Sequence, residues 1–374
     1  MQRTAQDWLV LTQLTDHNAT AVGIVLALQF GPQLLLLPLT GLAADTFDRR
    51  RLLLVTQTLM GLLALGLGLL TVAGTVTLGQ VYLFALALGC VAAFDAPARQ
   101  TFVSDLVSDQ DLPNAVALNS TSFNAARLLG PAAAGLLIAW LGLGAMFLFN
   151  AASYLAVLLS LFRLDPTQLQ PRERLKKSRG SLMEGFSYIW ARPQLKAVLA
   201  MLFLIGTFAL NFPIFLTTMS ASVFGLGARE FGFLTSGMAV GSVSGALLAA
   251  SRSDSSMRLL VAGSGGLGLS LALGALMPNP WTFGITMALV GVAAQLFTSV
   301  ANSMVQLTTT PNMRGRVMAI FMAIAMGGTP VGAPIVGRLS DTFGPRFGLA
   351  AAGLAALLAA VIGAGWLSRQ ERRA

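Results

Sequence analysis

The chain has 374 residues, 55% of them hydrophobic and only 10% charged, with Lys and Arg outnumbering Asp and Glu by 24 to 15. Soluble domains carry about 25% charged residues, so this composition, with a mean hydropathy of +0.73, excludes an ordinary soluble protein. The single cysteine, Cys90, and the single histidine, His17, exclude an intrachain disulfide and an ordinary zinc site.

The opening MQRTAQDWLVLTQL is apolar only from Trp8 to Leu14, too short to cross a bilayer and without the order of a signal peptide. It reads as the second half of a helix whose first half lies upstream. Spans of roughly 20 apolar residues are then expected near 19–44, 52–73, 80–98, 113–140, 143–163, 196–220, 230–250, 258–277, 281–306, 317–337 and 346–367. Turns fall at AGTVTLGQ (73–80), LGLG (141–144) and MPNPW (277–281), where Gly and Pro interrupt the apolar pattern. The segment 164–195 holds a cationic run, RERLKKSRG, followed by SLMEGFSYIWARP. Leu182, Phe186, Ile189 and Trp190 share one face there, which predicts a short helix lying at the membrane interface. The expected fold is an all-α membrane protein of two six-helix bundles, 1–163 and 196–374, joined by 164–195, with its first helix partial.

Assigning sides by alternation puts 19 of the 24 Lys and Arg on the side of the Gly41–Arg51 loop, three on the opposite side, and Arg3 and Arg127 inside spans. That bias places the loop, the linker and the C-terminus in the cytoplasm. It also explains the net charge of +9 through anionic lipid headgroups, without nucleic acid. The loop sequence GLAADTFDRRR is echoed as GRLSDTFGPRF at Gly337–Phe347. Alternation puts the two on opposite sides, so the shared DTF reads as coincidence or common turn chemistry. A shift of 202 residues gives a better repeat, laying Gly130, Gly135 and Gly142 on Gly332, Gly337 and Gly344. A repeat that preserves sidedness is the parallel kind.

Polar residues inside spans mark cavities or helix–helix contacts. At helical spacing, Ser120, Asn124, Arg127 and Pro131 share one face, as do Gln295, Ser299, Asn302 and Gln306. Gln29, Gln33 and Thr40 form a third stripe, and Thr207, Asn211 and Thr218 a fourth. Gln6, Gln29, Asn124, Asn211, Gln295, Ser299 and Asn302 are the expected lining of a substrate cavity, with interhelical hydrogen bonding as the alternative. Asp7 is acidic within a span and away from the cytoplasmic end, and Arg127 keeps its charge near mid-span. The two are expected to pair as a proton-coupling site, unless Arg3, at i, i+4 from Asp7, pairs with it locally and makes both residues structural. Asp95 and Arg99, also four apart, can join one network. No G-x-x-x-x-G-K-S/T loop and no Ser/His/Asp or Cys/His set is present. Neither an enzyme nor a cofactor or metal is expected.

Together these features resemble the major facilitator superfamily over the whole chain. Its loop signature G-x-L-x-D-x-x-G-R-K is matched at Gly41, Asp45, Arg49 and Arg50, with Ala43 for Leu and Asp48 for the second Gly. AQDWLVL, DAPARQTFVSDLV, NAVALNSTSFNAARLLGPAAAG and EGFSYIWARP are more specifically similar to the branch of enterobactin exporters, transmembrane secretion effectors and macrolide efflux proteins. The resemblance implies a cytoplasmic latch built from Gly41, Asp45, Arg49, Arg50, Asp95 and Arg99, although Arg49–Arg51 also suffice as topology signals. Gly130, Pro131 and Gly135 resemble the antiporter signature of the fifth helix, with Ala134 where Gly is common, which implies export. The expected function is proton-coupled efflux of an amphipathic small molecule, drug or siderophore, by a monomer in the cytoplasmic membrane. Import, or a receptor or scaffold without transport, is the alternative.

Overall fold

The computed structural model describes residues 1–37, 39, 40, 43, 47–108, 110–169, 182–252 and 256–371, and of residues 124, 127, 128, 168, 182 and 371 the backbone alone. Among these residues every regular element is helical. Short polar side chains and prolines set where the helices begin. α1 (Gln2–Leu9) continues as a π-turn over Val10–Leu14. α2 (Ala19–Leu35) starts on Asn18, α3 (Arg49–Val72) on Asp48, and α4 (Leu78–Phe102) on a capping box of Thr77 and Gln80. α5 (Leu112–Arg163) is two arms broken at Gly142. α6 (Leu182–Trp190) is the linker helix. α7 (Pro193–Leu204) and α8 (Phe212–Thr218) each end in a π-turn, Ile205–Ala209 and Met219–Val223, and together make one crossing. α9 (Ala228–Ala250), α10 (Met257–Leu276), α11 (Pro280–Thr308), α12 (Pro311–Phe343) and α13 (Pro345–Glu371) follow. Pro opens α7, α11 and α12, where its missing N–H leaves no bond unmade.

Nine of the described segments are long and apolar enough to cross a membrane. Two expected spans, 19–44 and 317–337, differ in detail. In the span at 19–44 a turn at Leu36 interrupts the helix that ends at Leu35, and Leu37, Leu39, Thr40 and Ala43 beyond it are again helical. The spans at 113–140 and 143–163 are two helices as expected, meeting at Gly142, whose φ of 82° redirects the chain without a loop. The span at 317–337 extends in both directions, carrying Arg338 and Asp341 on its last turns.

The repeat read from sequence has a structural counterpart. Gly142 and Gly344 both take positive φ, 82° and 94°, at the ends of equivalent helical arms. Gly135 and Gly337 both lie where helices before residue 164 meet helices after residue 192. In one seam α5 packs on α9, where a Cβ at Gly232 would stand 2.7 Å from the Pro131 carbonyl oxygen and 3.0 Å from Gly135 Cα. In the other α2 packs on α12, with Gly337 against Ala19 and Thr20, and Gly23 against Ala333 and Pro334. Small residues let backbones approach this closely, which is how helices associate in lipid.

The seams are uneven along their length. The end carrying the 41–48 loop and the linker is the linker end; the opposite one is the far end. The Gly135–Gly232 and Gly337–Ala19 contacts hold the far end shut. Toward the linker end, α5 stands apart: every residue from Val116 to Phe123 is exposed, whereas 131–138 is buried or half-buried. The molecule is closed at the far end and parted along α5 at the linker end.

Candidate functional site

A buried polar cluster is organised by α1. Gln2 and Gln6 lie one turn apart on the same face. Gln29 on α2 donates from Nε2 to Gln6 Oε1 at 2.8 Å, and Asn150 on α5 donates from Nδ2 to Gln2 Oε1 at 3.1 Å. Asp7 beside them is buried, as are Gln6 and Gln29. Gln2 Nε2, Gln6 Nε2, Gln29 Oε1 and Asp7 Oδ1 have no hydrogen-bond partner. Unpaired polar atoms in a low-dielectric interior are costly, so four among these neighbouring residues make the cluster the candidate site. Arg3 does not bond Asp7 Oδ1; its guanidinium lies over Phe30 of α2, 4.5 Å from the ring centroid. The expected Asp7–Arg127 pairing falls outside the described side chains.

The other expected cavity residues are distributed over two further helices. Asn211 is buried where the π-turn Ile205–Ala209 gives way to α8, and its Nδ2 donates to the Thr207 carbonyl at 2.6 Å. Its Oδ1 and Thr207 Oγ1 are unpartnered. That break brings α12 close, because Gly328 and Gly332 lie against the backbone of Gly206 and Thr207. On α11, Gln295 Nε2 donates to Ser299 Oγ at 3.2 Å and Gln306 Nε2 to Asn302 Oδ1 at 3.3 Å, all four half-buried along one face. The Asn124 side chain lies outside the described residues. Between α2, α7, α12 and the linker helix is an apolar cavity of about 340 Å³, walled by Leu34, Leu37, Phe186, Phe203, Ile320 and Ile324. Of the antiporter-like residues, Gly130 faces open space while Pro131 and Gly135 form the α5 side of the seam with α9.

Of the expected latch, Gly41 and Asp45 lie outside the described residues. Arg49 pairs with Asp105 at 2.6 Å. Arg50 donates to the Leu161 and Phe162 carbonyls at 2.9 and 3.2 Å, filling carbonyls that the end of α5 leaves open. Asp95 is fully buried, pairs with Arg99, and accepts from Thr56 Oγ1 at 2.9 Å and Gln57 Nε2 at 2.7 Å. These bonds join α3, α4 and α5 to one another, and so brace the helices before residue 164. The linker helix is held separately: Glu184 pairs with Arg316 at 2.8 Å, and Tyr188 bonds the Thr310 hydroxyl and N–H at the start of α12. Those Thr310 bonds hold the Tyr188 phenol below its usual pKa.

Gln2, Asn150, Asp105 and Asp341 were not among the expected site residues. Asp341 is helical, on the last turn of α12, so the DTF echo there is no turn. Its carboxylate accepts from Ala19 N–H at 2.7 Å, Thr20 N–H at 2.8 Å and Thr20 Oγ1 at 2.5 Å. The available signal was an acid standing one turn after Gly337, the glycine of the repeat.

The sequence profile of transmembrane secretion effectors, within the major facilitator superfamily, matches residues 1–370. Similar curated proteins include the enterobactin exporters EntS of Shigella flexneri, 27% identical over 94% of this chain and 84% of its own length, and of Escherichia coli O139:H28, 28% identical over 94% and 85%. Among solved structures, a bacterial homologue of the human lysosomal transporter Spinster, inward-facing and unoccupied, aligns with a TM-score of 0.72 and 14% identity over 96% of this chain and 93% of its own. A variant of the nucleoside transporter NupG aligns with a TM-score of 0.74 and 15% identity over 97% and 94%. At those identities the two structures speak for the fold alone.

Proposed function

The chain belongs to the transmembrane secretion effector family of the major facilitator superfamily, multi-pass membrane transporters rather than enzymes, and on that premise we propose that it exports an amphipathic small molecule, of drug or siderophore kind, in exchange for protons. Two helical bodies, 1–163 and 196–374, rock about the linker 164–195. The linker end faces the cytoplasm of a cytoplasmic-membrane protein that works as a monomer; the orientation is supported by the 19 of 24 Lys and Arg that alternation along the sequence assigns to that side.

The observation that carries the reading is the one-sided opening. With the far end shut at Gly135–Gly232 and Gly337–Ala19 and α5 parted at the linker end, the carrier is poised to load from the cytoplasm. The apolar cavity of about 340 Å³ suits the greasy part of an amphipathic cargo. Gln6, Gln29, Asn124, Asn211, Gln295, Ser299 and Asn302 supply its polar contacts. Asp7, with Arg127, carries the exchanged proton, for which a buried carboxylate with an unpartnered oxygen is a fitting acceptor. Gly41, Asp45, Arg49, Arg50, Asp95 and Arg99 form the latch that closes the linker end in the opposite state. The relatives named as enterobactin exporters support the outward direction.

Everted membrane vesicles test this. Energised vesicles holding the protein should accumulate an amphipathic dye and lose it on addition of a protonophore. Gradient-driven loss of dye instead would mean import, and no flux for dye or catecholate siderophore would leave a receptor or scaffold.

A further inference from the structure

An α-helix begins with N–H groups that find no partner within it. In α2 three of them are satisfied by two side chains, one adjacent to the helix and one from a distant part of the chain. Asn18 accepts from Ala21 N–H at 2.9 Å, the usual arrangement for a helix's own cap. Ala19 and Thr20 N–H go instead to Asp341, more than 300 residues away on α12, which also takes the Thr20 hydroxyl. The preceding turn presents these groups: His17, the one described non-glycine residue with positive φ, at 59°, donates its N–H to the Leu11 and Thr15 carbonyls. The negative carboxylate thus sits at the positive end of a helix belonging to the other half of the chain.

The repeat shows that packing does not require this bond. The shift that lays Gly135 on Gly337 puts Ala139 where Asp341 stands. At that second seam α9 begins on Gly227 with no side-chain cap among the described residues, yet α5 and α9 approach as closely as α2 and α12. Small residues make both seams, and the carboxylate is added to one. Because its partners lie across the seam, the bond exists only while the far end is closed.

The geometry points to Asp341 as a positioning residue of the transport cycle: its cap on α2 holds the far end closed and thereby sets the share of molecules ready to load at the linker end. The inference rests on alternating access, and is independent of the proposed cargo and of proton coupling. Removing a cap of this kind shifts a two-state balance by about two- to thirtyfold. Since only the linker-open state binds from that side, the apparent affinity there falls by the fraction lost.

Pulsed electron resonance on full-length protein in lipid nanodiscs tests it without any substrate. In a Cys90→Ala background, spin labels at Thr75→Cys and Pro278→Cys, both exposed in far-end turns, report the separation of the halves. Asp341→Ala should raise the long-distance population about two- to thirtyfold. Asp341→Asn, which keeps an oxygen able to accept an N–H, should raise it less. Asp16→Ala, removing an exposed carboxylate in the adjoining turn, should leave it unchanged. Unchanged distances in Asp341→Ala, or the same shift in Asp16→Ala, overturn the proposal. So does a lower unfolding temperature in Asp341→Ala without a change in distances, which would make the residue merely structural. Should Asp341→Ala fail to fold, Asp341→Asn carries the test by the same criterion.

Discussion

Replacing Asp95 probes the brace between α3 and α4. Its carboxylate is fully buried and serves three donors: Thr56 Oγ1, Gln57 Nε2 and the guanidinium of Arg99. Asp95→Leu strands them unequally. Thr56 Oγ1 also reaches the Leu53 carbonyl at 3.2 Å, so it can keep a bond. Arg99 has a side chain 59% exposed and can turn to water, so its share is about 0–1 kcal/mol. Gln57 Nε2 is buried with no second acceptor, and stranding it costs about 1–3 kcal/mol. The substitution should therefore destabilise by about 1–4 kcal/mol, most of it through Gln57. Asp95→Asn, which keeps one acceptor oxygen, should cost about half as much. The assay is reversible unfolding in mixed micelles of Asp95→Leu, Gln57→Leu and the double variant. A coupling of about 1 kcal/mol or more is expected, whereas additivity within about 0.5 kcal/mol would refute the assignment.

Asp7→Asn should abolish gradient-driven export while leaving substrate exchange intact; normal gradient-driven rates in vesicles would remove Asp7 from the coupling path. Gly232→Val places branched carbon against the Pro131 carbonyl and Gly135 backbone, and should cost about 1–3 kcal/mol and increase far-end label separation; wild-type stability and distances would count against the seam. Gly142→Ala forces a Cβ into the positive-φ region and should cost about 1–2 kcal/mol in the same unfolding assay, with Gly144→Ala, beside Val72, as a test of steric cost without the φ penalty.

Some of this architecture was written plainly in the residues. LGLG at 141–144 turned the chain at Gly142, and the glycine repeat reappeared as paired positive-φ breaks and paired close approaches. These were legible because glycine does locally what other residues cannot. The candidate site was legible in kind but not in pairing. Gln6 and Gln29 were both expected at a cavity, and their direct bond is the interhelical contact that had been the alternative. Asn150 reaching Gln2, Asp105 reaching Arg49 and Asp341 reaching α2 were beyond periodicity. Spacing says which residues share a helix face, and nothing about which distant helix lies opposite. The π-turn over Ile205–Ala209, which admits α12, carries no local marker in an apolar run.

Reconstituted protein answers the central claim most directly. In proteoliposomes with an acid lumen and a trapped pH indicator, for molecules whose linker end faces the bath, adding a catecholate siderophore or amphipathic dye should alkalinise the lumen as the compound accumulates inside. Asp7→Asn should accumulate nothing against a gradient and move no protons. Accumulation with no proton movement, or proton movement that carries the compound outward with it, would contradict the account of a proton-exchanging exporter.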